Sequence, residues 1–91
     1  MPVERLDSKF FVTVDGKEAH LLYKQEGYVM EIYDVFTPEE MRGQGIAAEL
    51  AVAAFNYAKR RRYKVVPTCP YIRDAFLKKH PEFEDIIVKS E

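Results

Sequence analysis

Arg42-Gly43-Gln44-Gly45-Ile46-Ala47 is the segment of this chain whose residue types and spacing point most directly to chemistry. It stands where a β-rich stretch gives way to a helical apolar repeat. Two glycines there allow positive φ angles and let a ligand approach the backbone closely. The first N–H groups of a helix have no partners within it and point outward, which favours an anion such as a pyrophosphate. Arg42 adds a fixed positive charge, and Ala47 keeps the next turn small. A plain loop-to-helix turn would use the same glycines, so residue chemistry alone leaves both readings open. Just upstream, Thr37-Pro38-Glu39-Glu40 resembles a capping box with proline at the first helical position. A helix begun at Thr37 would carry Gly43 and Gly45 inside it, each costing about 1 kcal/mol relative to alanine. That cost favours a turn at the glycines.

Cys69, the single cysteine, lies between a short β-like stretch and Pro70, a good first residue for a helix. As the N-cap it would feel the positive end of the helix dipole, which lowers thiol pKa values, and Arg73 four residues on could add to this. A thiolate there could accept an acyl group or simply contact a ligand, while a lone cysteine is more often a small buried hydrophobe. His20 and His80 are the two histidines, a residue type suited to proton transfer, but they have no partner in sequence and read as structural or surface groups. Glu31 and Asp34 share one strand and are candidate bases. Three positions separate them, which places them on opposite faces of a regular strand. Lys59-Arg60-Arg61-Arg62, with Lys64, is the one basic run. It suits a nucleic-acid or import signal, but equally the C-terminus of a helix.

The elements that must position these residues follow from patterning. Lys9–Val14 is rich in β-branched and aromatic residues and ends at Asp15-Gly16, a turn pair. Glu18–Lys24 reads as the returning strand, Gln25-Glu26-Gly27 as a turn, and Tyr28–Phe36 as a third strand. The last has large residues on both faces, as a strand central to a sheet would. From Ile46 the apolar residues Ile46, Ala47, Leu50, Ala51, Ala54, Phe55, Tyr57 and Ala58 recur at helical spacing, ending near Arg62. A short strand, Tyr63–Pro67, follows. Pro70 opens a second helix over Tyr71–Lys79 that Pro81 stops. The tail Phe83–Val88 is compatible with strand or helix. The expected class is α+β: a mixed β-sheet made of an antiparallel meander, a βαβ crossover and a second helix.

Composition bounds what such a domain does. The 91 residues leave no room for separate cofactor and substrate domains, so residues 1–91 read as one compact domain with one modest core. Fourteen Lys+Arg against 15 Asp+Glu give a net charge of −1, without the basic excess of a duplex-DNA binder. One cysteine excludes an intramolecular disulfide framework and makes a structural zinc site improbable. The N-terminus lacks the apolar core of a signal peptide, and Ile46–Phe55 is far short of a membrane span. A cytoplasmic location is the expectation.

Arg42-x-x-Gly45-x-Ala47 resembles the Arg/Gln-x-x-Gly-x-Gly/Ala signature of the GNAT acyltransferase superfamily, which binds the pyrophosphate of acetyl-CoA. Val66-Pro67-Thr68-Cys69-Pro70-Tyr71-Ile72 resembles a small branch of it whose members are about this length and keep the CoA-binding half of the usual domain. The likeness runs from roughly Lys9 to Phe83 and includes the order of elements. It implies a GNAT-like sheet and transfer of an acetyl group from acetyl-CoA to an amine acceptor, a small amine or a protein. The backbone of Val35, Phe36 and Thr37 would pair with the pantetheine arm, and the amides of Gly43, Gln44, Gly45, Ile46 and Ala47 would hold the pyrophosphate beside Arg42. The strands flanking the cofactor would splay apart, with Cys69 catalytic. Apart from the resemblance, Lys78 and Lys79 are candidates to approach the outer phosphate. Many larger members carry a tyrosine in the second helix as acid for the departing thiol, and Leu77 falls where it is expected. That departure supports a competing reading: a non-catalytic CoA-binding or protein-interaction module retaining the fold. The short chain implies an open acceptor side, completed by a large substrate or by a second subunit of a homo-oligomer.

Overall fold

A computed structural model describes residues 2–88. Five strands form one sheet in sequence order: β1 (Glu4–Leu6), β2 (Lys9–Val14), β3 (Lys17–Glu26), β4 (Val29–Phe36) and β5 (Lys64–Pro67). The first four make an antiparallel meander, and β5 returns parallel to β4 after helix α1 (Ile46–Arg61). Helix α2 (70–79) begins at Pro70, passes through a π-helical stretch, Ile72–Phe76, and ends in the α-helical Leu77–Lys79. The tail is the 3-10 helix Pro81–Ile86, after which Ile87 bridges to Val65.

The meander has one more strand than the hydrophobic pattern indicates. Glu4-Arg5-Leu6 is exposed along its length and has no core-facing residue to announce it. Long-range contacts hold it instead. The Arg5 guanidinium donates to the Tyr23 hydroxyl at 3.2 Å and lies 4.7 Å from the centre of the Tyr57 ring.

All the helical packing is on one face of the sheet. Phe10 and Val12 of β2, Ala19, Leu21 and Tyr23 of β3, Met30 and Ile32 of β4 and Val65 of β5 are buried there. Seven residues of α1 (Ile46, Leu50, Ala51, Ala54, Phe55, Tyr57 and Ala58) are buried, as their spacing requires. The basic run caps that helix: Arg61 lies over the Tyr57 ring and Lys59 over Phe83, both at its C-terminal end. Helix α2 and the tail join the same layer through Phe55, whose ring centre is 5.3 Å from Phe76 and 5.0 Å from Phe83.

The opposite face is open. None of Lys9, Phe11, Thr13, Glu18, His20, Leu22 or Lys24 is buried. The large residues on both faces of β4 therefore do not reflect two covered faces. Tyr33 and Phe36 are 39% and 45% accessible.

A break in the β3–β4 register accounts for that pattern. Leu22 pairs with Asp34, but Tyr23 pairs with Ile32, so Tyr33 is an extra residue, a β-bulge. Asp34 faces with Leu22 and Glu31 with Lys24, and these two β3 residues share the open face. Glu31 and Asp34 therefore lie on the same face, not on opposite faces as a regular strand would place them.

Candidate functional site

Strand β5 pairs with β4 only from Val29 to Ile32. The chain then turns away, with the Cys69 amide donating to the Ile32 carbonyl at 3.0 Å, while β4 continues to Phe36. The edge of Val35 and Phe36 facing away from β3 consequently has no strand beside it. An extended ligand arm would find unpaired backbone groups there.

The end of β4 leads into the glycine segment that precedes α1. A short 3-10 turn, Glu39–Met41, follows Pro38, and helix α1 starts afresh at Ile46. The capping-box sequence thus starts one turn, and the glycines stop it. Gly43 and Gly45 take φ values of +82° and +75°, which L-residues adopt at a cost. Gly45 is the N-cap of α1, and no side chain caps that terminus. The leading amides of α1 are left for a ligand. Arg42 donates from Nε to the Thr37 carbonyl at 3.2 Å, which ties its guanidinium to the end of β4.

These pieces close around a cavity of about 330 Å³. Thr37, Arg42, Gly43, Gly45, Ile46 and Ala47 line it from one side, and Tyr71 and Lys79 of α2 from the other. Of the residues assigned to cofactor binding from sequence, six share this wall. Val35 and Phe36 stand on the adjoining strand edge, and Gln44 is exposed in the turn. A positively charged, amide-lined cavity of this kind fits a pyrophosphate.

Cys69 sits apart from that wall. It is 5% accessible, and its carbonyl accepts from the Arg73 amide at 3.1 Å, as an N-cap carbonyl does. The Arg73 side chain turns to Asp74 at 3.1 Å and to the Thr68 carbonyl at 3.4 Å. Leu77 packs against the core and offers no proton.

Tyr71 is a polar wall residue that residue patterning did not single out. An isolated tyrosine at a helix start has no local signature, and its position follows from the docking of α2. Burial raises its hydroxyl above the ordinary value of 10.0, with Cys69 adding to the effect. It stays protonated at neutral pH, with a hydroxyl able to donate to a ligand. His80 stacks on Phe76 at 4.4 Å and pairs with Glu82 at 3.2 Å, which suits a structural role.

On the open face, Glu18 takes two hydrogen bonds from Lys9 Nζ at 3.0 Å each. This contact, with smaller contributions from His20, lowers its carboxyl below the ordinary glutamate value of 4.5. A carboxyl depressed on folding adds stability that is complete above the unfolded value and is lost as pH falls through the folded one. The thermal midpoint should therefore decline below about pH 4.5. Lys9→Met should make that decline shallower, and identical slopes in the two proteins would refute the coupling.

The fold and the cavity define an α+β domain with parted parallel strands and an uncapped helix N-terminus beside a cavity. A GCN5-like protein from Staphylococcus aureus, determined in solution by NMR, shares this fold with a TM-score of 0.76 at 20% identity, over 99% of this chain and 90% of that one. The family model described as GCN5-related N-acetyl-transferase matches residues 9–86. The chain belongs to that family.

Among the described residues, no group of side chains could hold a metal ion, and no helix is long and apolar enough to cross a membrane.

Proposed function

We propose that this domain binds acetyl-CoA and transfers its acetyl group to an amine acceptor in the cytoplasm. The observation that carries this reading is the cavity at the uncapped start of α1, walled by Arg42 and two positive-φ glycines beside the unpaired end of β4. The pyrophosphate lies on the leading amides of α1, from Gly43 to Ala47, with Arg42 and Lys79 neutralising it. The pantetheine arm runs along Val35, Phe36 and Thr37 toward the parting of β4 and β5. Acetyl-CoA, when bound, supplies the activated thioester. Tyr71 donates a hydrogen bond into the cleft, and Cys69 lies at the strand parting. The burial of Cys69 away from the cavity wall, and Leu77 in place of a proton donor, favour a second reading. In it the domain binds CoA without chemistry.

Thermal denaturation with CoA tests what both readings share. A ligand at 100 times its Kd stabilises a fold by about 2.7 kcal/mol, a shift of roughly 10 °C or more for a domain this size. No shift with millimolar CoA or acetyl-CoA would overturn both. Intact mass after incubation with acetyl-CoA separates them. An acetyl adduct absent from Cys69→Ala supports covalent transfer, whereas no adduct and no thiol release with any amine leaves the binding module.

A further inference from the structure

The far end of α1 carries a group of cations that takes no part in the cavity. The helix has 16 residues, so Arg60, Arg61 and Arg62 stand about 24 Å from its N-terminus and the glycine segment. Arg5 of β1 and Arg61 share one ring: their guanidinium carbons lie 4.7 Å and 5.1 Å from the centre of Tyr57. Arg60 is three positions beyond Tyr57 on the helix and emerges beside them. All four arginines are exposed, and among the described residues none has a carboxylate partner. Lys9, Lys17 and Arg73 each have one.

Helix capping accounts for only part of this group. The dipole favours cations in the last turn, but it does not require Arg5 to come alongside from β1. Arg62 departs further from what a cap requires. It is the C-cap of α1 at φ +61° and ψ +38°, the left-handed region where glycine is the usual residue. The other described non-glycine residues at positive φ, Asp7 and Asp15, are of a type that visits that region with local compensation. Arginine has none. A glycine would end the helix without strain, so the side chain at position 62 is held at a cost to the fold.

Aromatic surface adjoins the cations. Tyr28, in the turn before β4, is 75% accessible. Its carbonyl accepts from the Lys64 amide at 2.8 Å, which brings that turn within two residues of Arg62. Tyr63 stands between them, its ring 6.1 Å from Tyr57 and its hydroxyl taking a hydrogen bond from Gln25 at 2.8 Å. The lysines of the run are engaged with the tail: Lys59 lies over Phe83, and Lys64 Nζ donates to the Asp85 carbonyl at 3.1 Å. The arginines are left facing outward. Glu4, next to Arg5, faces the other side of the sheet by strand alternation, while Glu26 and Asp85 border the surface.

We propose that this end of the domain is a second binding surface, and that it takes a short single-stranded polynucleotide. The exposed guanidinium groups hold successive phosphates, and a base stacks on Tyr28. Guanidinium engages phosphate through two N–H groups at once, and an open aromatic ring accepts any base. An acidic peptide would use the same cations but leave the Tyr28 ring without a purpose. A duplex needs a longer basic footprint than four arginines supply. The net charge of −1 does not oppose the strand, because carboxylates more than about 8 Å away are largely screened at physiological salt. The surface is independent of the acetyl-CoA reading, being a helix length from the cavity.

Fluorescence anisotropy with the full chain tests this, using labelled decauridylate and decathymidylate as probes. Both should bind alike, with Kd between about 1 and 100 µM at low salt. The logarithm of affinity should fall with that of salt at a slope of about −2 to −3, as for three or four phosphate contacts on a single strand. Arg62→Gly should raise the thermal midpoint by a few degrees, weaken strand binding about 5-fold and flatten the salt slope by about 0.7. Tyr28→Ala should weaken binding about 10-fold and leave the slope alone, since stacking releases no counterions. CoA affinity should be unchanged in both variants. The proposal is overturned if neither strand binds at millimolar protein, or if Arg62→Gly is less stable or binds like wild type. It is equally overturned if a ten-base-pair duplex, poly-glutamate or phosphatidylglycerol vesicles compete as well as the unlabelled strand.

Discussion

Phe55→Ala should destabilise the domain by about 3–5 kcal/mol, the range for removing a fully buried aromatic ring. Phe55 is wholly inaccessible and is the point at which α1, α2 and the 3-10 tail meet, its ring contacting both Phe76 and Phe83. No neighbouring backbone can close over the space, because α1 is fixed on the sheet by the small residues Ala51, Ala54 and Ala58. For a domain of this size the loss corresponds to a fall in thermal midpoint of roughly 15 °C or more. Urea unfolding should show the same loss as a lower midpoint with an unchanged slope. Phe11→Ala is the comparison: its ring is half-buried on the open face beneath Lys9, and its loss should cost about 1 kcal/mol. Equal costs at the two positions would mean that the single-faced core is wrongly drawn. The effect should also reach the cavity, since Tyr71 and Lys79 keep their places through the α2 packing that Phe55 anchors.

How far such a site can be read from sequence depends on whether the signal is local. The spacing from Ile46 to Ala58 and the glycine pair at 43 and 45 are local, and they specify α1 and its bare N-terminus directly. Membership of the family, the mixed sheet and the parallel return of β5 follow from the same stretch and from the segment around Cys69. The bulge at Tyr33 has no comparable signature. One unpaired residue in β4 reverses the face of everything after it, so parity counted along the sequence sends Asp34 the wrong way. The partner of His20 is hidden for the same reason, since Asp34 is 14 positions away and meets it only through the shifted register. Strand β1 is invisible for a different cause: its stabilising contacts belong to the Arg5 side chain and not to an apolar alternation. Position 77 shows a third kind of limit. Leucine there is legible as a missing acid, but that Tyr71 enters the cleft depends on how α2 is docked.

Gly45→Val should cost far more in CoA affinity than in stability. At φ +75° a β-branched residue is strained by about 1–2 kcal/mol, although its Cβ would meet no atom within 4 Å. The penalty is therefore in the backbone angle, and the chain relieves it by rotating the N-cap. That rotation turns aside the leading amides of α1, each of which would make a charge-assisted hydrogen bond to phosphate worth about 1.5–3 kcal/mol. Losing even two of them weakens CoA binding by about 100-fold or more. Arg42→Ala leaves those angles alone and removes one guanidinium that is already tethered to Thr37, so about 10-fold is expected. Calorimetric titration of CoA against both variants gives the order, and pantetheine, which lacks the pyrophosphate, supplies the control. If the amides of α1 hold the phosphates, CoA should lose affinity in Gly45→Val and pantetheine should not. If Arg42→Ala were the more damaging change, the guanidinium and not the helix terminus would be the principal anion contact, and the glycines would serve the turn alone.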